Sequence, residues 1–404
     1  MLKDEIKKFF DEFVNWNIDI INNAKTYIDY VESEPKNKNE KTEEKIISKE
    51  FTAKEKQKRL AGIQQKVEHS NRVADGMVTV CQTMDFNEES VQEYIDLAWI
   101  IGILHDIARP LQMQTTGTYA DKDSYKFLSD VNIKYHDEAG AKLLFDYKFI
   151  DEIKIPDSLR YILRECVGLH GKNVLPENLS KYSMEDIFDL IKNKTLKQII
   201  DGNKQEEIEM LTCFYLKILR DNDKIDIYRQ VINNEIPIFP KKINYLTLNP
   251  ETDERDTYSE IAATFNISVS DLYEANNISP DVDEFSKPDT NRIIIPTSKI
   301  TSSVVSIPDD IFNSFCDNSM EPLNVLHERR DYNFLSATIV RLSFIWDVNF
   351  LNSLKMIRDE DLLMKMFNNY PSEYQEKMRY VFEAAKTILD NRINEMELGN
   401  SKRK

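Results

Sequence analysis

Apolar residues recur along most of the chain at steps of three and four, the spacing of one face of an α-helix. Leu2, Ile6, Phe9, Phe10, Phe13, Ile20 and Ile21 predict one amphipathic helix over residues 2–31, and the charge-rich stretch from Glu32 to Lys49 reads as a solvated linker. A long helix from Ala53 to Met84 carries Leu60, Ile63 and Val67 on one stripe and His69, Val73, Met77 and Val80 on another. The run from Leu97 to Ala108 is apolar on every side, which predicts a helix in the centre of a core, ended by Pro110 and followed by a polar loop from Gln112 to Asp123. Further helices are predicted over Tyr135–Leu144, over Leu159–His170 with Gly171 as its stop, and over Glu209–Val231. The polar segment between Glu177 and Glu207 has only modest helical character.

From Lys241 to Ile300 the pattern changes. The runs Tyr245–Leu248 and Arg292–Pro296 flank two short helical patterns, giving β-α-α-β. Helical spacing returns from Asp309 to Glu397, with Leu335, Ile339, Leu342, Phe344, Ile345, Val348, Phe350 and Leu351 as a packing stripe. The fold class is therefore mainly α with a small inserted β-α-α-β unit.

Composition narrows the partners. The chain has 404 residues, 41 % of them hydrophobic, which is ordinary globular material. Its net charge of -17 argues against polymeric nucleic acid and anionic membrane as partners, and leaves room for a small anionic substrate only where basic groups gather locally. The four cysteines form no CxxC pair and read as free thiols of a reducing compartment. No uninterrupted apolar segment reaches membrane-spanning length, so a soluble cytoplasmic protein is expected. Neither GxGxxG nor GxxxxGK[ST] occurs, so phosphate chemistry here must rely on metal and side chains.

Candidate chemistry gathers at the ends of the apolar stripes. A carboxylate closing the Leu97–Ala108 helix, Asp106 beside His105, is costly to bury unless something pairs with it, and a metal ion resolves the conflict. His69, His136 and His170 also lie on or close apolar stripes. Leu216, Leu219, Asp223 and Asp226 share a face on which such a stripe turns acidic, while Asp221 points elsewhere, to solvent or behind a ligand. Imidazoles and carboxylates without thiolates suit Mn, Fe, Co, Ni or Zn in a reactive site better than structural zinc.

The segments Val67-Glu-His-Ser-Asn-Arg-Val-Ala74, Ile103-Leu-His-Asp-Ile-Ala-Arg109 and Ile218-Leu-Arg-Asp-Asn-Asp-Lys-Ile-Asp226 resemble, in this order, the HD superfamily of metal-dependent phosphohydrolases, over about residues 51–235. The resemblance implies an HD helical bundle with His69, His105, Asp106 and Asp223 as metal ligands. His136 and His170 resemble the extra ligands of members with two ions, including cyclic-dinucleotide phosphodiesterases. In such a site Asp106 bridges, His69, His105 and Asp223 hold one ion, and His136 and His170 hold the other. The ions implied are divalent transition metals (Mn, Fe, Co or Ni, with Mg admitted). Ala108 stands where Gly is common, and the Gly-Tyr-Pro triplet of one phosphodiesterase subgroup is missing after His170, so cyclic di-GMP specificity is not implied.

The implied reaction is hydrolysis of a nucleotide or other small phosphate ester by metal-activated water. Asp106 stands at its centre, Arg109, Lys172 and Lys224 are candidates to neutralise the substrate, and Asp226 is placed to orient a ligand imidazole or contact substrate. Two alternatives keep the same residues: a di-iron HD-type oxygenase, and a non-catalytic nucleotide-binding sensor or scaffold. Residues 256–277 with Arg292–Pro296 resemble a LysM module that has Arg255 in place of the usual Gly and lacks the Pro-Gly before the last strand. With no export signal read from the sequence, this insert is expected to dock a protein partner or to be structural rather than to bind wall glycan. The domains expected are 1–50 (helix and linker), 51–240 (HD core), 241–300 (LysM-like insertion) and 301–404 (C-terminal helices packing on the HD core).

Overall fold

A computed structural model describes residues 2–32, 44–117, 119, 135–172, 174–238, 242–249, 254–288, 292–296, 299–300, 307–318 and 334–401. They form two compact units, Met1–Asp226 and Ile227–Lys404, and are mainly helical. Among the described residues no helix is long and apolar enough to cross a membrane.

The first unit opens with α1 (Leu2–Asn23), which buries Ile6, Phe10, Phe13 and Ile21. It ends short of the predicted residue 31. Strand β1 (Thr26–Glu32) follows and pairs antiparallel with β2 (Glu44–Glu50), Tyr27 opposite Lys49 and Tyr30 opposite Ile46. Tyr27, Ile28, Tyr30 and Val31 are aromatic or β-branched and favour the extended chain, so a hairpin replaces the end of the predicted helix and both ends of the predicted linker. Residues 33–43 of that linker lie outside the described residues.

The long α2 (Ala53–Cys81) is capped by Thr52, whose hydroxyl accepts from the Glu55 amide at 3.1 Å. It packs on α1 and on α3 (Val91–Leu104), the buried apolar helix. At their crossing a Cβ on Gly102 would lie 2.5 Å from Ala74 Cα, so only glycine lets the two backbones approach this closely. Pro110 does not end the apolar helix. The chain turns at His105–Ile107 and re-enters α4 (Ala108–Thr116), with Pro110 in its first turn, where no intrahelical donor is lost. The predicted polar loop therefore starts as helix, and of its remainder only Gly117 and Tyr119 are described.

Next come α5 (His136–Ala141), continued by a π-helical turn over Lys142–Asp146, and α6 (Asp157–Leu169), which packs on α3 and α5. Gly171 follows α6 without the left-handed φ of a helix stop. A Cβ there would sit 3.2 Å from Asp137 Oδ2, so space rather than backbone conformation accounts for it. The polar segment after Glu177 is more ordered than its composition suggests. It forms α7 (Glu177–Ser180), α8 (Met184–Asn193) and α9 (Leu196–Gly202), which bury Leu179, Ile187, Leu190, Ile191 and Ile199. The unit closes along α10 (Gln205–Ile232).

In the second unit β3 (Lys242–Leu246) pairs antiparallel with β6 (Arg292–Pro296), Tyr245 opposite Ile293. Between them lie a short ladder of β4 (Leu248–Asn249) with β5 (Glu254–Arg255), then α11 (Tyr258–Phe265) and α12 (Val269–Asn276). This is the expected β-α-α-β with an extra ladder, built on buried Tyr245, Ile261, Leu272, Ile293 and Ile295. Helices Asp309–Cys316, Phe334–Leu342, Leu351–Asp359, Leu362–Asn368 and Ser372–Ser401 follow. Leu335, Ile339, Leu342, Ile345, Val348 and Phe350 of the predicted stripe are buried.

Candidate metal centre

Five chain segments of the first unit deliver imidazoles and carboxylates to one buried place. His69 comes from the middle of α2, His105 and Asp106 from the turn after α3, His136 from the first residue of α5, His170 from the cap of α6, and Asp223 from α10. His69 Nε2 lies 3.5 Å from Asp106 Oδ2 and 3.2 Å from Asp223 Oδ1, and His105 Nε2 lies 3.7 Å and 4.0 Å from the same two oxygens. The other carboxylate oxygen faces the other way: Asp106 Oδ1 lies 3.4 Å from His136 Nε2 and 3.8 Å from His170 Nε2. Two groups able to hold an ion result, His69, His105 and Asp106 on one side and Asp106, His136 and His170 on the other.

Local helix chemistry aims the rings. His105 and His170 each stand where a helix ends, and each gives its Nδ1 proton to the carbonyl three residues back, Gly102 at 2.7 Å and Val167 at 2.8 Å. His69 Nδ1 lies 2.7 Å from Asp226 Oδ2. A carbonyl or an ionised carboxylate only accepts, so in these three rings Nδ1 carries a proton, and Nε2 is the nitrogen turned to the centre. His136 differs: its Nδ1 accepts from Arg109 Nη2 at 2.9 Å.

The fit to a metal rests on Asp106. Its side chain is 3 % exposed, and the buried Oδ1 accepts no hydrogen bond among the described residues. An uncompensated carboxylate oxygen between two imidazole nitrogens is what a cation would complete. Burial opposes the charge on Asp106, but Lys66, His105, His136 and Arg109 outweigh it and hold the carboxyl well below the usual range. Burial pushes His170 down to about 3, helped by its His136 and His105 neighbours, and burial likewise lowers His105. At His69 burial and Lys66 pull the pKa down, yet hydrogen bonds to Asp223 and Asp226 prevail and raise it. Neutral His105 and His170 are in the form that ligates.

The remaining predicted residues fall in different places. Arg109, 8 % exposed, has its Nε 3.6 Å from Asp106 Oδ1 and donates through Nη1 to Gln112 Oε1 at 2.8 Å and to the Tyr119 carbonyl at 3.1 Å. Asp226 is fully buried and holds His69 while accepting from Arg72 Nε at 2.7 Å. Lys172 stands beside the cluster, its Nζ 3.8 Å from Asp137 Oδ2 and 4.7 Å from the centre of the Tyr135 ring. Lys224 follows Asp223 and is half-buried, a hundred degrees or so round α10. Asp221 does not reach solvent: its side chain is fully buried, since α10 is packed on more than one face.

Sequence reasoning missed Lys66, Arg72, Tyr119 and Arg220. Lys66 Nζ lies 2.9 Å from Asp106 Oδ2, and its place one turn before His69 was the available signal. Arg220 on α10 donates to the His170 carbonyl at 3.3 Å and to the Lys172 carbonyl, tying the end of α6 to the helix that carries Asp223.

Residues 67–227 match the HD domain family, a span that contains all six of these candidate ligands. The chain carries an HD domain. HD domains form a superfamily of metal-dependent hydrolases. Residues 254–282, covering β5, α11 and α12, match the LysM domain, a binding module. No curated protein and no solved structure gives a significant match to the chain.

Proposed function

We propose that the HD domain hydrolyses a small phosphate ester, a nucleotide or a cyclic oligonucleotide, with two divalent ions (Mn, Fe, Co or Ni, with Mg accepted) that the residues on the two sides of Asp106 would hold. The observation that carries this reading is the opposed reach of the Asp106 oxygens, Oδ2 toward His69 and His105 and Oδ1 toward His136 and His170. His69, His105 and Asp223 would hold one ion, His136 and His170 the other. Ions bound there supply a water of lowered pKa and polarise the phosphoryl oxygen.

The chain's own groups do the rest. Asp226 keeps the Nε2 of His69 aimed at the centre. Lys66 and Arg109, cations within 2.9 Å and 3.6 Å of Asp106, neutralise phosphoryl oxygens, which is how a chain of net charge -17 accepts an anion. Lys172 and Lys224 are assigned to outer parts of the substrate. The same cations favour phosphate over oxygen as the co-reactant of this ligand set. The LysM domain is assigned to docking a protein partner.

The test is metal analysis of the purified chain, followed by a product screen on nucleotides and cyclic oligonucleotides with each metal. Two ions per chain and release of phosphate or a phosphomonoester are expected. Oxygen consumption without phosphate-ester cleavage, or no cleavage with any ester, would overturn the assignment.

A further inference from the structure

Helix α5 starts on a residue that caps it poorly. Tyr135 stands at its N-cap with extended backbone and no side-chain bond to the first-turn amides, where Ser, Thr, Asp or Asn would satisfy one of them. Its side chain is 51 % exposed, and among the described residues its hydroxyl has no hydrogen-bond partner. Tyrosines that hold this unit together behave otherwise. Tyr94 and Tyr215 are buried, and their hydroxyls donate to the carbonyls of Lys194 at 2.9 Å and of Tyr94 at 2.8 Å. The exposed rings of Trp16 and Phe149 lie against Phe13. Tyr135 thus supplies the fold with neither a cap, a buried ring nor a hydroxyl bond.

The ring meets a cation instead. Lys172 Nζ lies over it, 4.7 Å from its centre. Lys172 is itself held in place: its Nζ is 3.8 Å from Oδ2 of the buried Asp137, and its carbonyl accepts from Arg220 of α10. Tyr135 directly precedes His136 and Lys172 follows His170 by two residues, and the two imidazole rings have their centres 5.0 Å apart. Between His170 and Lys172, a Cβ on Gly171 would lie 3.2 Å from Asp137 Oδ2 and 3.7 Å from His136 Cε1, so the two segments run close together here. The half-exposed ring and the ammonium therefore stand side by side at the rim of the His136–His170 half of the centre.

Resting on the phosphate-ester reading above, we propose that Tyr135 and Lys172 form a nucleobase subsite of this centre. With the phosphoryl group at Asp106, the rest of the ester leaves the centre past its rim. There the Tyr135 ring offers a base the π surface that Lys172 does not cover, and the ammonium donates to a carbonyl or ring nitrogen on the base edge. Stacking accepts every base, because each has a π face, and gives nothing to an ester whose alcohol is not aromatic. The substrate class narrows accordingly, from small phosphate esters at large to nucleotides.

The test uses the full chain loaded with Mn. Calorimetric titration compares inorganic phosphate, the 5-phosphonate of ribose, and the 5′-phosphonates of adenosine, guanosine, cytidine and uridine, whose P–C bond is not hydrolysed. In wild type the nucleoside phosphonates are expected to bind about tenfold tighter than the ribose compound, the order of one base stacked on an aromatic ring. Tyr135→Ala should bring that ratio close to one. Tyr135→Phe should keep it, and Tyr135→Leu, which fills the same place without a π face, should lose most of it and serves if the alanine variant does not fold. A role of Tyr135 in placing His136 alone would weaken every phosphonate alike and leave the ratio standing. A ratio near one in wild type, or one retained in Tyr135→Ala or Tyr135→Leu, would overturn the subsite and leave the phosphate-ester reading in place. Failure of the loaded chain to bind phosphate or any phosphonate would overturn that reading, and the subsite with it.

Discussion

Asp226 accepts the Nδ1 proton of His69 at 2.7 Å while Arg72 grips the same carboxylate through Nε at 2.7 Å and Nη2 at 3.1 Å. The pair joins α2 to α10 and turns the His69 ring so that Nε2 faces Asp106 and Asp223. Asp226→Asn keeps the shape and removes the charge that fixes the ring. Metal affinity is expected to fall about 10–100-fold, read by competition with a chromophoric chelator. An affinity equal to wild type would show that His69 needs no such orientation.

Asp106→Asn should abolish metal uptake and turnover together, because one side chain serves both halves of the centre. It should also destabilise the ion-free protein by about 3 kcal/mol, since Lys66 and Arg109 lose the buried counter-charge they flank. Metal analysis and urea denaturation check the two parts separately. Wild-type metal content in this variant would contradict the placement of both ions.

Acid should weaken the ion-free fold. His170 is held down to about 3 from an ordinary 6.5, so below 6.5 the unfolded chain binds a proton that the folded chain refuses. Its contribution is complete above 6.5 and is lost as pH falls toward 3; His105, also lowered, acts in the same sense. His69 is raised and acts in the opposite sense, stabilising at low pH and losing that contribution as pH rises through its folded value. With two groups against one, stability is expected to be lower at pH 4.5 than at pH 7.5. Denaturant titrations at the two pH values measure the difference, and a higher stability at pH 4.5 would mean that His69 dominates.

Gly102→Ala forces a methyl group to within 2.5 Å of the Ala74 backbone, at the crossing that carries His69 on one helix and His105 beyond the end of the other. A cost of about 2 kcal/mol or more is expected from overpacking, together with weaker metal binding as α2 and α3 separate. Denaturation and metal titration should move together, and a fully stable variant would show that the crossing can relax.

Added metal should stabilise wild type, and not Asp106→Asn, by about 3 kcal/mol at a hundredfold excess over the dissociation constant, and so raise the midpoint of thermal unfolding. Differential scanning calorimetry with and without a chelator checks this.

The local pattern of the chain was enough to place His69, His105, Asp106, His136, His170 and Asp223 at the ends of apolar stripes. Helical periodicity and the cost of burying a carboxylate act over a few residues, so they are written in the order of the side chains. The same locality made Asp226 readable, one turn beyond Asp223, and likewise the β-α-α-β unit, whose strands announce themselves by branched residues. The limits were local too. The propensities of Tyr27 to Val31 were outvoted on paper by the helix before them, although in the fold they find a partner strand.

What only the tertiary structure decided is which face of each helix meets which. Lys66 was one lysine among many until α2 crossed over the Asp106 turn and brought its ammonium to 2.9 Å from the carboxylate. Of the two places open to Asp221, solvent or behind a ligand, the fold excludes solvent, since the side chain is fully buried, a property of its neighbours rather than of its own sequence. The approach of Arg109 to His136 is likewise invisible in the chain: its Nη2 comes to 2.9 Å from the ring Nδ1 of a residue twenty-seven positions on, a contact between segments that no spacing rule connects.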